Sequence, residues 1–99
     1  MLNIVKNLED TKLSVALEGR LDTTTAPELD NSLKESIAEV KELVFDFAGL
    51  EYISSAGLRV LLSAQKTMNQ QGSMKLIHVS SEVNEIFEVT GFSDILTIE

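Results

Sequence analysis

The sequence predicts an α/β fold, a mostly parallel or mixed sheet of about five strands with helices packed on it and βαβ crossovers after an N-terminal hairpin. Two patterns point there. Some stretches alternate apolar and polar residues with period two, and others repeat apolar residues at helical spacing. After two initial strand-like stretches, these patterns take turns along the chain. Such alternation implies right-handed crossovers and a sheet covered by helices. A third observation bounds the size: 99 residues, 43% of them hydrophobic, suffice for one core. A single domain over residues 1–99 is expected, without repeats, low-complexity tracts or linkers.

Residues 2–8 and 12–18 form the hairpin. Leu13, Val15 and Leu17 alternate with polar or small residues, and "LEDTK" supplies the turn. Gly19 breaks the pattern. A first helix follows, with Ala26, Leu29, Leu33 and Ile37 on its inner side. Thr25 and Glu28 have capping-box spacing, and Pro27 lies in the first turn, where a missing N–H does little harm. "ELVFDF", 42–47, reads as a buried strand. A second helix starts at Ser55 or Ala56 and runs to about Gln71, ended by Gly72. "MKLIHV", 74–79, is the next strand. Ser80 or Ser81 caps a third helix with Val83, Ile86 and Phe87 facing inward, and Gly91 ends it. Residues 95–98 complete the sheet as a short last strand. "LDTTTAPE" and "YISSAGL" therefore fall at two strand-to-helix junctions at the same end of the sheet, where functional residues gather in such folds.

Composition excludes several functions. Eight Lys and Arg against sixteen Asp and Glu give a net charge of −8. Nucleic acids and anionic membranes select clustered positive charge, so neither is an expected partner. The acidity favours solubility, and next to that a basic partner. With no cysteine, disulfides and thiolate chemistry are ruled out. The N-terminus carries Lys, Asn and acids within ten residues, unlike a signal peptide, and no apolar run is long enough for a membrane span. A soluble cytoplasmic domain is expected.

An enzyme finds little support. "SSAG" is not the G-x-S-x-G elbow, and the single histidine, His78, sits in an apolar strand, where a structural role outweighs a catalytic one. The acids show no spacing that marks a metal cluster. "GRLDTTTAPE" lacks either phosphate-loop pattern, so a capped helix start with Thr25 as cap outweighs nucleotide binding, and no cofactor is expected. Asp22 stands three residues before that cap, which leaves a solvated turn acid and a partner contact equally open. One serine of the Ser54–Ser55 pair suffices as a helix cap. Two are more than a cap requires, and a serine at a helix N-terminus tolerates phosphate without disrupting the fold. In the second helix Leu58, Leu61 and Leu62 share a face. Val60 falls on the opposite, solvent side, where it joins the serines as part of a docking patch or stands as a lone exposed valine.

Nearly the whole chain resembles the STAS-domain family, in particular the small stand-alone anti-sigma factor antagonists. The resemblance runs through "GRLDTTTAPEL", "LVFDFAGLEYISSAGLRVLL" and "IFEVTGFSDILTI", and its most specific part is Asp46 to Leu58. It implies that Ser55, two residues before Gly57–Leu58, is phosphorylated by an anti-sigma factor with serine kinase activity. It also implies a partner-switching cycle. The unphosphorylated protein binds the kinase and frees a sigma factor, phosphorylation dissociates the pair, and a serine phosphatase resets the cycle. The implied partner surface comprises Asp22, Thr23, Thr24, Thr25 and Pro27 together with Ser54, Ala56, Gly57, Leu58 and Val60. The free protein is expected to be a monomer. Two positions depart from the common pattern: Ser54 where many members have Asp, and Ala56 where many have Ser or Thr. The same fold serves as a constitutive subunit of transporter or signalling complexes, whose members often lack the acceptor serine that this chain keeps.

Overall fold

A computed structural model describes residues 2–99. The hairpin consists of β1 (Leu2–Glu9) and β2 (Lys12–Leu21). It is followed by α1 (Ala26–Ser36), β3 (Glu42–Ile53), α2 (Ser55–Gln71), β4 (Ser73–Ile77) and α3 (Ser81–Thr90), then a short 3₁₀ turn over Phe92–Asp94. The sheet order is β1-β2-β3-β4, with β1 antiparallel to β2 and the other neighbours parallel. Four strands form, one fewer than expected. Residues 95–98 make only a single parallel bridge, Ile98 with Leu76. The Ile95 and Leu96 N–H groups turn back to the Phe92 carbonyl, at 3.0 and 2.9 Å, so the first half of that stretch cannot join the sheet.

The helices cover one face of the sheet. Leu13, Val15 and Leu17 of β2 and Leu43, Phe45 and Phe47 of β3 all point into one core with Leu29, Leu33, Leu61, Met68 and Phe87. Phe47 stacks between Phe45 and Phe87, at centroid distances of 5.8 and 6.5 Å. Residues of the other parity, such as Ser14 and Ala16, lie half-buried on the uncovered face. Burying one face and leaving the other to water produces the alternation legible in β2.

Helix α2 packs against both the sheet and α1, so its buried surface is broader than one stripe. Leu58, Leu61, Ala64, Gln65 and Met68 are buried, and so is Val60, 8% exposed. Val60, Ala64 and Thr67 line the seam with Leu33 and Ile37 of α1. The solvent position expected for Val60 is corrected by this second contact. A helix covered on two sides needs apolar residues on both.

Candidate functional site at two parallel strand ends

Register brings the two junctions together. In the parallel pair β2–β3, Leu21 lies opposite Ile53, so Asp22 and Ser54 leave the sheet side by side. The Ser54 N–H donates to the Leu21 carbonyl at 2.9 Å, which ties the loops together.

The first junction closes on itself. The Asp22 carboxylate Oδ1 accepts the N–H groups of Thr24 (3.0 Å) and Thr25 (3.1 Å) and the Thr24 hydroxyl (2.8 Å). These bonds, with the Thr24 hydroxyl first, hold the carboxyl below the usual carboxylate range against the opposing effect of desolvation. The Ala26 N–H donates to the Asp22 carbonyl at 2.8 Å. The Thr25 hydroxyl donates to the Arg20 carbonyl (2.8 Å) and accepts the Asp22 N–H (2.8 Å). Thr25 itself has helical angles and makes no side-chain cap. Thr25 thus holds the N-cap position as expected, and only the side-chain cap bond is corrected. The Asp22 carboxylate, three residues upstream, instead closes an Asx-type turn on the Thr24 and Thr25 N–H groups before the helix begins, and Thr25 is 5% exposed with its hydroxyl bound internally.

The second junction is open. Ser54 is extended (φ −98°, ψ 174°), and its Oγ accepts the Gly57 N–H at 3.4 Å, a long cap bond. Ser55 is the first residue of α2 and is exposed, and its hydroxyl makes no hydrogen bond among the described residues. The first turns of α1 and α3 carry Glu28 and Glu82, whereas that of α2 has no acid. Gly57 is buried because the first turn of α2 rests on the strand ends. A Cβ there would lie 2.7 Å from Leu21 Cγ and 2.9 Å from Ile53 Cγ1. Leu58 is 5% exposed. Among the expected partner residues, Thr25, Gly57, Leu58 and Val60 are therefore buried. Thr23, Thr24, Pro27 and Ser55 are exposed, and Asp22, Ser54 and Ala56 half-buried.

Two neighbours escaped the sequence reading. Arg20 and Tyr52, paired across β2 and β3 just before the junctions, stack with the guanidinium carbon 4.5 Å from the ring centroid. Only the parallel register, invisible in either segment alone, brings them together. His78 lies apart from the serines: its Nδ1 bonds Asp46 Oδ1 at 2.9 Å. Asp46 also accepts the Ala48 N–H (3.0 Å), and this bond, ahead of His78, lowers its pKa. No group of three or more His, Cys, Asp or Glu side chains suited to a metal occurs among the described residues, and no described helix is long and apolar enough to cross a membrane. Among the described residues no base is hydrogen-bonded to the Ser55 hydroxyl.

A small α/β domain with two junctions clasped at one sheet end is the class that fold and site define. The chain belongs to the STAS domain family, whose profile matches residues 3–99. The anti-sigma-B factor antagonist of Listeria monocytogenes is 31% identical over 99 residues, spanning 96% of this chain and 85% of that protein. Two solved structures share the fold at lower identity. An anti-sigma factor antagonist from Mycobacterium paratuberculosis superposes with a TM-score of 0.89 at 19% identity, over 99% of this chain and 85% of that one. The Bacillus cell fate determinant SpoIIAA in its phosphorylated form does so with a TM-score of 0.77 at 16% identity, over 98% and 91%.

Proposed function

We propose that this protein is an anti-sigma factor antagonist acting in the cytoplasm, switched by phosphorylation of Ser55. In the unphosphorylated state it binds an anti-sigma factor that is also a serine kinase, and a sigma factor is released. The kinase then transfers the γ-phosphoryl group of ATP to Ser55. The Ser55 Oγ–P bond forms as the bond to the β-phosphate oxygen breaks, ADP leaves, and the hydroxyl proton passes to the kinase's base. A serine phosphatase reverses the modification by hydrolysis.

One observation carries the reading: of two adjacent serines, Ser54 is the helix cap and Ser55 is exposed with an unengaged hydroxyl. A kinase can reach it without dismantling a cap. The phosphate would add about −1.5 to −2 charges beside Asp22 and the exposed Thr23–Thr24 loop. Against a partner's desolvated surface that charge weakens binding by repulsion and lost hydration, with no change of fold.

The test is phosphorylation by a candidate anti-sigma kinase, sought among the products of the neighbouring genes. Incubation with ATP and Mg²⁺ is expected to add one phosphate, located on Ser55 by mass spectrometry and absent from Ser55→Ala. Ser55→Asp is expected to keep the wild-type circular dichroism spectrum and lose affinity for the kinase. Phosphate on Ser54 would move the acceptor to that residue, and no transfer combined with stable binding to a membrane complex would replace this reading with that of a constitutive subunit.

A further inference from the structure

Four of the eight Lys and Arg side chains are paired with acids: Lys6 with Glu35, Lys12 with Glu42, Lys34 with Asp30 and Lys75 with Glu99. Arg20 is stacked on Tyr52. Lys41, Arg59 and Lys66 make no ion pair among the described residues. Only Arg59 of these three stands one helical turn from Ser55, at i+4 on the same exposed stripe of α2. Residues so spaced have Cβ atoms about 5–6 Å apart. Helical side chains also lean toward the N-terminus, so the long Arg59 side chain covers the turn that Ser55 begins. None of the 17 residues of α2 is Asp or Glu, so no acid of its own helix competes for the guanidinium.

We infer that Arg59 is the counter-cation of a phosphoryl group on Ser55, its guanidinium holding two phosphate oxygens across the first turn of α2. This rests on Ser55 as the acceptor. The planar fork of arginine matches a phosphate bidentately, which a lysine at the same place would not. One modification then changes two surface groups. A dianion appears at Ser55, and the free cation of Arg59 is withdrawn from the face that a partner meets.

Phosphoserine encoded at position 55 during translation makes the test independent of any kinase. The second ionisation of the phosphate, ordinarily near about 6, is followed by ³¹P NMR against pH. A cation favours the dianion, so Arg59 lowers this value, and Arg59→Gln is expected to raise it by about half a unit at low salt. Arg59→Lys should restore part of the shift, because charge remains and the fork is lost. Arg20→Gln, which removes the other nearby cation, is expected to move it by less than about 0.1 unit, well inside the effect of one adjacent charge. Amide spectra of all variants report the fold. An Arg59→Gln titration superimposed on the parent, or a larger effect from Arg20→Gln, overturns the inference. Failure of Ser55 as the acceptor would show separately, as absence of transfer from the kinase while this titration still shifts.

Discussion

The junctions β2–α1 and β3–α2 occupy equivalent places, each carrying the chain from the end of a parallel strand into a helix on the same face. They treat their polar groups in opposite ways. In the first, one carboxylate oxygen collects three donors from Thr24 and Thr25, and the Thr25 hydroxyl both donates and accepts. In the second, a single 3.4 Å bond from Gly57 to Ser54 is the whole of the side-chain capping, and the next hydroxyl is left free. The first junction is a rigid wall. The second is a helix start resting through Gly57 on the strand ends Leu21 and Ile53, with the Ser55 hydroxyl exposed. A hydroxyl used in capping would have to break its bond to be modified, so under the proposed switch the division between Ser54 and Ser55 keeps structure and modification on separate atoms.

The largest expected effect comes from forcing the two junctions apart. Gly57→Ala places a methyl group against Leu21 and Ile53, which are 0% and 2% exposed and have no room to move. Overpacking of this kind costs roughly 1–3 kcal/mol. Urea unfolding should show the loss, and an unchanged midpoint would mean that α2 does not rest on the strand ends.

A smaller effect is expected from opening the first junction. Thr25→Val keeps the shape but leaves the Arg20 carbonyl and the Asp22 N–H without their partner. A loss of about 1–2 kcal/mol follows for buried groups of this kind. The Asp22 carboxyl adds a pH signature. Its folded pKa lies below the ordinary value of 3.8, so its contribution is complete above that value and fades as pH falls through the lower, folded one. Asp22→Asn should therefore melt below wild type at neutral pH, and the two curves should converge in acid below about 3.8. A gap that persists at pH 2 would assign the effect to packing.

Much of this arrangement was legible in the chain, and the exceptions have physical causes. The alternation of β2 and the helical spacing of α1, α2 and α3 gave the order of elements, and Gly91 caps α3 in the left-handed region as its position suggests (φ 83°). Strand β3 runs on to Ile53, six residues past Phe47. The register shifts opposite Ala16–Glu18 and Gly19–Arg20 interrupt its alternation, and the Asp46 bond to the Ala48 N–H sits at the first of them. Val60 was misplaced because helical periodicity reports one buried face, and α2 has two. The side-chain cap expected of Thr25 followed from spacing alone, whereas the observed bonds from Thr24 and Thr25 to the Asp22 carboxylate depend on how the turn folds back. The pairing of Arg20 with Tyr52 needed the register of two strands separated by a helix.

The smallest effects divide the two serines. Ser54→Ala removes the long cap bond and is expected to lower stability by about 0.5–1 kcal/mol, the weaker end of capping losses. Ser55→Ala removes an exposed hydroxyl without a partner, and surface changes of that kind stay within about 0.5 kcal/mol. Measured side by side by urea unfolding, the Ser54 variant should be the less stable. The Ser55 variant should be indistinguishable from the parent until a kinase is added. Equal losses would mean that both hydroxyls serve the helix start, and the modification of Ser55 would then have to act by weakening the fold. Unequal losses in the expected order leave the charge itself as the agent of the proposed switch, acting at the surface beside Asp22 and its loop.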